Sequence, residues 1–279
     1  MSAPAATTTA VREGRTLAVV IEPAELVDLA RTESIALVEV GREPSATPTI
    51  PGALRLTLDD LSGPERADSG NRPLPDHAEL AHRLRHGGIG ARTRVIVVAE
   101  TPRDLAGAAR AWVVLRWAGI RRVSYLNGVH AAEVAELGLP DRRDQTGVQG
   151  DHDHDHDHDH DLVIDAAVVA EAAEIAARHP DVLLVDARTP EGFGDEGQHI
   201  AGAVNVPSGR LAADGRVHDA ATIHAAYRDA IGVDPASRPV IVYCGSGVSA
   251  SVQALALASI DVIAPVYVGS FSEWSKHTP

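Results

Sequence analysis

Val240-Ile241-Val242-Tyr243-Cys244-Gly245-Ser246-Gly247-Val248-Ser249-Ala250 decides how this chain is read. Val240 to Tyr243 form a short, uninterrupted apolar run, the pattern of a strand covered on both faces. Glycines and serines then let the backbone curl, and Ala250 to Ser259 reads as a helix of small residues. Strand, tight turn and helix make half of a βαβ unit, and the carboxyl end of such a strand is where open α/β sheets hold ligands. Cys244 stands at that end. The N–H groups of Gly245, Ser246, Gly247, Val248, Ser249 and Ala250 can turn inward at a helix N-terminus, and such a nest attracts anions. The setting favours a thiolate, with the Ser246 and Ser249 hydroxyls as further donors. Cys244 is therefore the candidate nucleophile.

Working outward, the same order of elements occurs twice. Val182-Leu183-Leu184-Val185-Asp186 is a buried strand ending in an acid, and Ile35-Ala36-Leu37-Val38-Glu39 repeats it. Ile200-Ala201-Gly202-Ala203-Val204-Asn205-Val206 is matched by Ile50-Pro51-Gly52-Ala53-Leu54-Arg55-Leu56. Ser237 to Cys244 is matched by Thr93 to Glu100, which places Glu100 at the position of Cys244. Helices are expected at Ala250 to Ser259 and Leu105 to Ala118, and closing strands at Pro265 to Val268 and Val123 to Leu126. Strands alternating with helices imply a parallel sheet with helices on both faces. The fold expected is α/β, duplicated: residues 17–146, a linker at 147–161, and residues 162–279.

The linker carries a strict alternation, Asp151 to Asp161, that cannot bury apolar surface. Its imidazoles, His152, His154, His156, His158 and His160, could wrap Ni²⁺, Zn²⁺ or Cu²⁺ in a loosely organised way. The chain of 279 residues has a net charge of −14 and stays acidic without the tract, so nucleic acid and anionic membranes are poor partners. No apolar run reaches the ~18 residues of a membrane span, and Met1 to Ala10 lack the pattern of a secretory signal. A single cysteine forms neither an internal disulfide nor a zinc-finger ligand set, and points to the reducing cytoplasm.

In its loop and flanking motifs the chain resembles the two-domain rhodanese-type sulfurtransferases, and within them the 3-mercaptopyruvate branch. Cys244-Gly245-Ser246-Gly247-Val248-Ser249-Ala250 is similar to that branch's Cys-Gly-Ser-Gly-Val-Thr-Ala loop. Val266-Tyr267-Val268-Gly269-Ser270-Phe271-Ser272-Glu273-Trp274 resembles the family's closing signature, His199-Ile200-Ala201-Gly202-Ala203 its His-Ile-Pro-Gly-Ala element, and Asp186-Ala187-Arg188 its Asp-x-Arg. The resemblance implies two tandem rhodanese-like domains, the first without a nucleophile. It implies transfer of a sulfane sulfur from 3-mercaptopyruvate or thiosulfate, through a Cys244 persulfide, to a thiol or cyanide. No cofactor is required. Asp186 and Arg188 are expected to support the loop.

The pattern is broken in places. A family arginine that holds the substrate carboxylate falls at Gly192. Asp59 matches an acid said to assist the thiol, but the companion histidine position reads Arg72. Arg72 is expected at the domain interface, where it could anchor an anionic donor. Two alternatives stay open: a non-catalytic rhodanese-fold sulfur carrier, and a metal-binding protein built on the Asp/His tract. A Cys-dependent phosphatase would need an arginine where Ala250 stands, and is set aside.

Overall fold

The computed structural model describes residues 18–44, 47–139, 162–195 and 198–277. The linker at 147–161, with its Asp/His tract, lies outside the described residues. Each half forms a five-stranded sheet with every pairing parallel. In the first half, β1 (Val20–Ile21), β2 (Ile35–Gly41), β3 (Leu54–Thr57), β4 (Arg94–Ala99) and β5 (Arg122–Leu126) lie in the order β1-β5-β4-β2-β3. In the second, β6 (Val169–Ala170), β7 (Leu183–Asp186), β8 (Val204–Asn205), β11 (Val240–Tyr243) and β12 (Val266–Tyr267) lie in the order β6-β12-β11-β7-β8. The two orders are the same, so the duplication read from the sequence is a duplication of topology. The edge strands β1 and β6 have two residues each and carry no readable pattern. A hairpin, β9 (Ala212–Ala213) with β10 (Arg216–Val217), lies in the second half and has no counterpart among the described residues of the first.

Helices α1 (Pro23–Thr32), α2 (His77–His86), α3 (Leu105–Trp117) and α4 (Ala131–Glu136) flank the first sheet, and α5 (Ala172–Ala177), α6 (Pro190–Phe193), α7 (Ala220–Ile231), α8 (Val248–Ala258) and α9 (Ser270–His277) the second. The helices α3 and α8 pack on one another between the sheets. Both are buried nearly all round, which their alanine, valine and leucine content permits. As a result one apolar core runs through both halves: Val38, Val97, Val113 and Leu115 belong to the same cluster as Val185, Val242, Leu255 and Leu257. Each such side chain contributes roughly 1.5–3 kcal/mol by leaving water. Outer clusters cover the far face of each sheet, with Ile96 and Val98 in one and Leu184 and Tyr243 in the other.

This layering corrects one correspondence. In β11, Val240 and Val242, and Cys244 just beyond them, face the shared core, while Tyr243 faces outward. In β4, Val95, Val97 and Ala99 face the shared core, while Ile96 and Val98 face outward. The partner pairs agree, since Tyr243 lies opposite Asp186 and Val98 opposite Glu39. Ala99, not Glu100, is therefore the counterpart of Cys244. Side chains alternate along a strand, so a slip of one residue sends each to the other face. Both runs are apolar without interruption, and the sequence alone offered nothing to fix the register.

Two clasps tie the halves together. The Asn71 N–H donates to Ser272 Oγ at 3.0 Å, and Lys276, the sole lysine, donates to the Ser69 carbonyl at 2.8 Å. Gly70 comes so near Gly269 that a Cβ at residue 70 would lie 2.5 Å from the Gly269 oxygen. On the other side the hairpin docks on β5: the Val217 N–H donates to Asn127 Oδ1 at 2.8 Å, and the Tyr125 hydroxyl donates to the Gly215 carbonyl at 2.6 Å.

Candidate active site around Cys244

Cys244 leaves β11 with 2% of its surface exposed. Its N–H donates to Ser270 Oγ at 3.1 Å, and the Ser270 hydroxyl donates to the Tyr267 carbonyl at 2.8 Å. The carbonyls of Cys244 and Gly245 accept from the Phe271 and Ser272 N–H groups, each at 3.0 Å. The first turn of α9 thus occupies the loop's carbonyl side. Ser270 keeps this arrangement at a left-handed φ of 54°, rare for a residue with a side chain. It is fully buried, and no reading of the sequence singled it out.

On the other side of the loop, the Gly247 N–H donates to Cys244 Sγ at 3.1 Å. Gly247 is the N-cap of α8 with φ of 79°, and no side chain caps that helix. The helix starts at Val248, two residues before the expected start, because the left-handed glycine turns the chain into it directly. The Ser251 hydroxyl donates to the Gly247 carbonyl at 2.7 Å and pins the cap. The sulfur therefore rests on the positive end of a helix. Gly245, Ser246, Val248 and Ser249 are half-buried around it.

The supporting residues fall into separate pairs. Asp186 is fully buried and accepts from Arg188 through the backbone N–H at 2.9 Å, through Nε, and through Nη2 at 2.6 Å. Arg188 also donates to the Gln198 carbonyl at 2.9 Å, and its guanidinium lies 4.7 Å from the Phe271 ring centre. Burial lowers its pKa, but the hydrogen bonds to Asp186 outweigh that and leave it raised above the ordinary arginine value. Arg72 and Asp59, matched separately to the family pattern, meet each other: Arg72 Nη1 stands 2.5 Å from Asp59 Oδ1. Gly192 lies against the Arg188 side chain, where a Cβ would stand 3.3 Å from the Arg188 Cβ.

A second residue escaped the sequence reading. Arg110, fully buried in α3, points between the loop 61–73 and Gly247. Its only sequence signal is a lone charge in the apolar run Ala108 to Leu115. A cavity of about 700 Å³ elsewhere, lined by Leu37, Ile50, Leu54, His86, Val134 and Leu139 among others, includes nothing from the Cys244 loop. Among the described residues no group of three or more His, Cys, Asp or Glu stands ready to hold a metal ion. No described helix is long and apolar enough to cross a membrane.

Residues 169–277 match the model of the rhodanese-like domain. The chain is 39% identical over 240 residues to a Mycobacterium tuberculosis protein named "Putative thiosulfate sulfurtransferase SseB", covering 81% of this chain and 80% of that one. The chain belongs to the rhodanese family of sulfurtransferases. Escherichia coli 3-mercaptopyruvate sulfurtransferase is 31% identical over 237 residues, 81% of this rhodanese and 79% of its relative. The crystal structure of SseA from Escherichia coli, described as a 3-mercaptopyruvate sulfotransferase with the rhodanese fold, superposes with a TM-score of 0.68 at 26% identity, covering 92% of this chain and all of that one. The match confirms the tandem α/β architecture expected from the two repeats.

Proposed function

We propose that this rhodanese takes a sulfur atom from 3-mercaptopyruvate, or less efficiently from thiosulfate, onto Cys244 as the sulfane sulfur of a persulfide, and passes it to a thiol or cyanide. The observation that carries the reading is the Gly247 N–H on Cys244 Sγ at the uncapped start of α8. The thiolate attacks the donor sulfur and a sulfur–sulfur bond forms. With 3-mercaptopyruvate the donor's carbon–sulfur bond breaks, its electron pair going to carbon as the enolate of pyruvate; with thiosulfate the donor's sulfur–sulfur bond breaks, its electron pair leaving on sulfite. In the first case the proton from the donor thiol ends on that carbon; in both, Cys244 is left as a persulfide anion. An acceptor thiolate or cyanide then takes the outer sulfur and returns the Cys244 thiolate. The helix terminus favours the anion in both states.

The donor preference follows from charge. Thiosulfate is a dianion and gains from cations in the loop, where this chain has Gly245 and Ser246. Arg188 is held by Asp186, and Arg72 by Asp59. The relatives' names include both donors, so a direct comparison decides. With cyanide as acceptor, kcat/KM for 3-mercaptopyruvate is expected to exceed that for thiosulfate. The reverse order refutes the charge argument. Donor alone should add one sulfur atom, about 32 Da, to the wild type and nothing to Cys244→Ser; an equal gain in that variant refutes the persulfide assignment. This chemistry calls for no resident metal and for a reduced thiol, in keeping with a cytoplasmic setting. Chelation of Ni²⁺, Zn²⁺ or Cu²⁺ by the Asp/His tract would be a separate property, independent of Cys244.

A further inference from the structure

The half without a nucleophile sends one buried cation to the nucleophile of the other. Arg110 Nε and Nη2 donate to neutral carbonyls: Leu61 at 3.3 and 3.4 Å, Arg72 at 3.0 Å and Pro73 at 3.2 Å. Among the described residues no carboxylate pairs with it, and its Nη1 has no hydrogen-bond partner. That nitrogen is the one turned toward the sulfur loop: a Cβ at Gly247 would lie 3.1 Å from it. Gly247 in turn is the residue whose N–H reaches Sγ. A fully buried charge without a counter-ion is strongly disfavoured, so the geometry calls for an anion at this place. Burial brings the Arg110 guanidinium down to about 10; negative charge on Cys244 opposes that fall, and Arg72 adds to it.

We propose that Arg110 is the fixed counter-ion of the Cys244 sulfur anion, of the thiolate before sulfur is taken and of the persulfide afterwards. The persulfide clause rests on the function proposed above; the thiolate clause stands without it. Arg110 is a positioning residue. It acts across Gly247, where the missing Cβ leaves the approach open, and it need not touch the donor. The other charges around the loop are largely balanced. Arg72 faces Asp59 on the loop from the first half, and Arg188 faces Asp186 at the end of β7. Glu273 on α9 lies against Gly269, and as an anion it works against a thiolate. The unbalanced positive charge is that of Arg110.

The test reads the thiol directly, on the full chain and with no sulfur donor present. Alkylation of Cys244 by iodoacetamide is followed against pH in wild type, Arg110→Met and Arg110→Lys. In Arg110→Met the midpoint is expected to rise by about one pH unit or more, a roughly tenfold loss of thiolate below the midpoint. Arg110→Lys, which keeps the charge, is expected to move by less than about half of that. Coincident profiles for wild type and a folded Arg110→Met overturn the proposal, because a purely structural arginine would lower activity without moving this midpoint. Should Arg110→Met not fold, Cys244→Asp and Cys244→Asn pose the same question with Arg110 intact. At pH 7 the carboxylate variant is expected to melt above its neutral isostere, and an equal or lower melting temperature overturns the pairing. Neither measurement involves sulfur transfer, so failure of the proposed reaction would leave the result readable.

Discussion

The carboxyl ends of β4 and β11 are the same place in two copies of one fold, and they are finished in opposite ways. After β11 the chain needs only Cys244-Gly245-Ser246-Gly247 to reach α8, whose N-cap has no side-chain hydrogen bond and whose Gly247 N–H holds the sulfur. After β4 it passes through Glu100 and a turn at Pro102–Asp104 before α3 begins. There Thr101 and Asp104 cap each other's backbone, the Thr101 N–H donating to Asp104 Oδ2 at 3.0 Å. Glu100 folds back to accept from Arg55 Nη2 at 2.8 Å, and Arg55 also pairs with the buried Glu39. The first site is closed by its own side chains. The missing cysteine is thus only part of what separates the halves: neither α3 nor α8 has a side chain on its own N-cap, but a capped turn stands between β4 and α3, whereas the loop after β11 runs directly into α8.

The largest effect expected from breaking this contrast is at Gly247. An alanine there would combine a φ of 79° with a Cβ only 2.6 Å from the Val268 oxygen. It would displace the N–H that reaches sulfur, and the loss of such a donor costs about 10²–10³ in rate. Gly247→Ala should lower kcat by that factor while the far-UV circular dichroism stays that of wild type. Full activity would show that the loop tolerates a cap with a side chain.

Glu100→Gln tests the closed end and should act on stability alone. Glu100 is partly exposed and Arg55 retains Glu39, so the cost should be about 0.5–1 kcal/mol, or roughly 1–3 °C in melting temperature, with kcat/KM unchanged. A drop in activity would mean that the two strand ends communicate. The smallest effect expected is none. Ala99→Cys in a Cys244→Ser background puts a thiol at the true counterpart position, and mass spectrometry after donor treatment should find no added sulfur. A gain of one sulfur atom would show that position on the strand suffices and that the capping of the helix start is irrelevant.

The order of strands and helices was legible because βα alternation survives in the apolar runs and their glycine-rich turns. Cys244 was legible because one short loop holds thiol, glycines and helix start together. The register of β4 was not, since Ile96, Val97 and Val98 are all apolar and nothing marks the face on which each lies. Asp59 and Arg72 were each picked out, but their mutual pairing at 2.5 Å depends on how the loop folds. Arg110 stayed hidden for a different reason. Its meaning depends on which side of α3 meets α8, and a helix apolar all round carries no stripe to show it. Ser270 was quoted within the closing signature, but its left-handed backbone and its bond to the Cys244 N–H are facts of the fold.

The apolar core that runs unbroken from one sheet to the other has a consequence for how such a molecule can change over time. Each copy keeps an outer cluster of its own, but the inner face of each sheet is closed in common, for α3 and α8 pack on one another between the sheets. Cut apart, each would present a helix of alanines, valines and leucines to water, and melting one should melt both in a single cooperative step. The copy without a nucleophile is therefore held in place by the other's stability. It is free to drift at the surface and at its disused strand end, but not along α3.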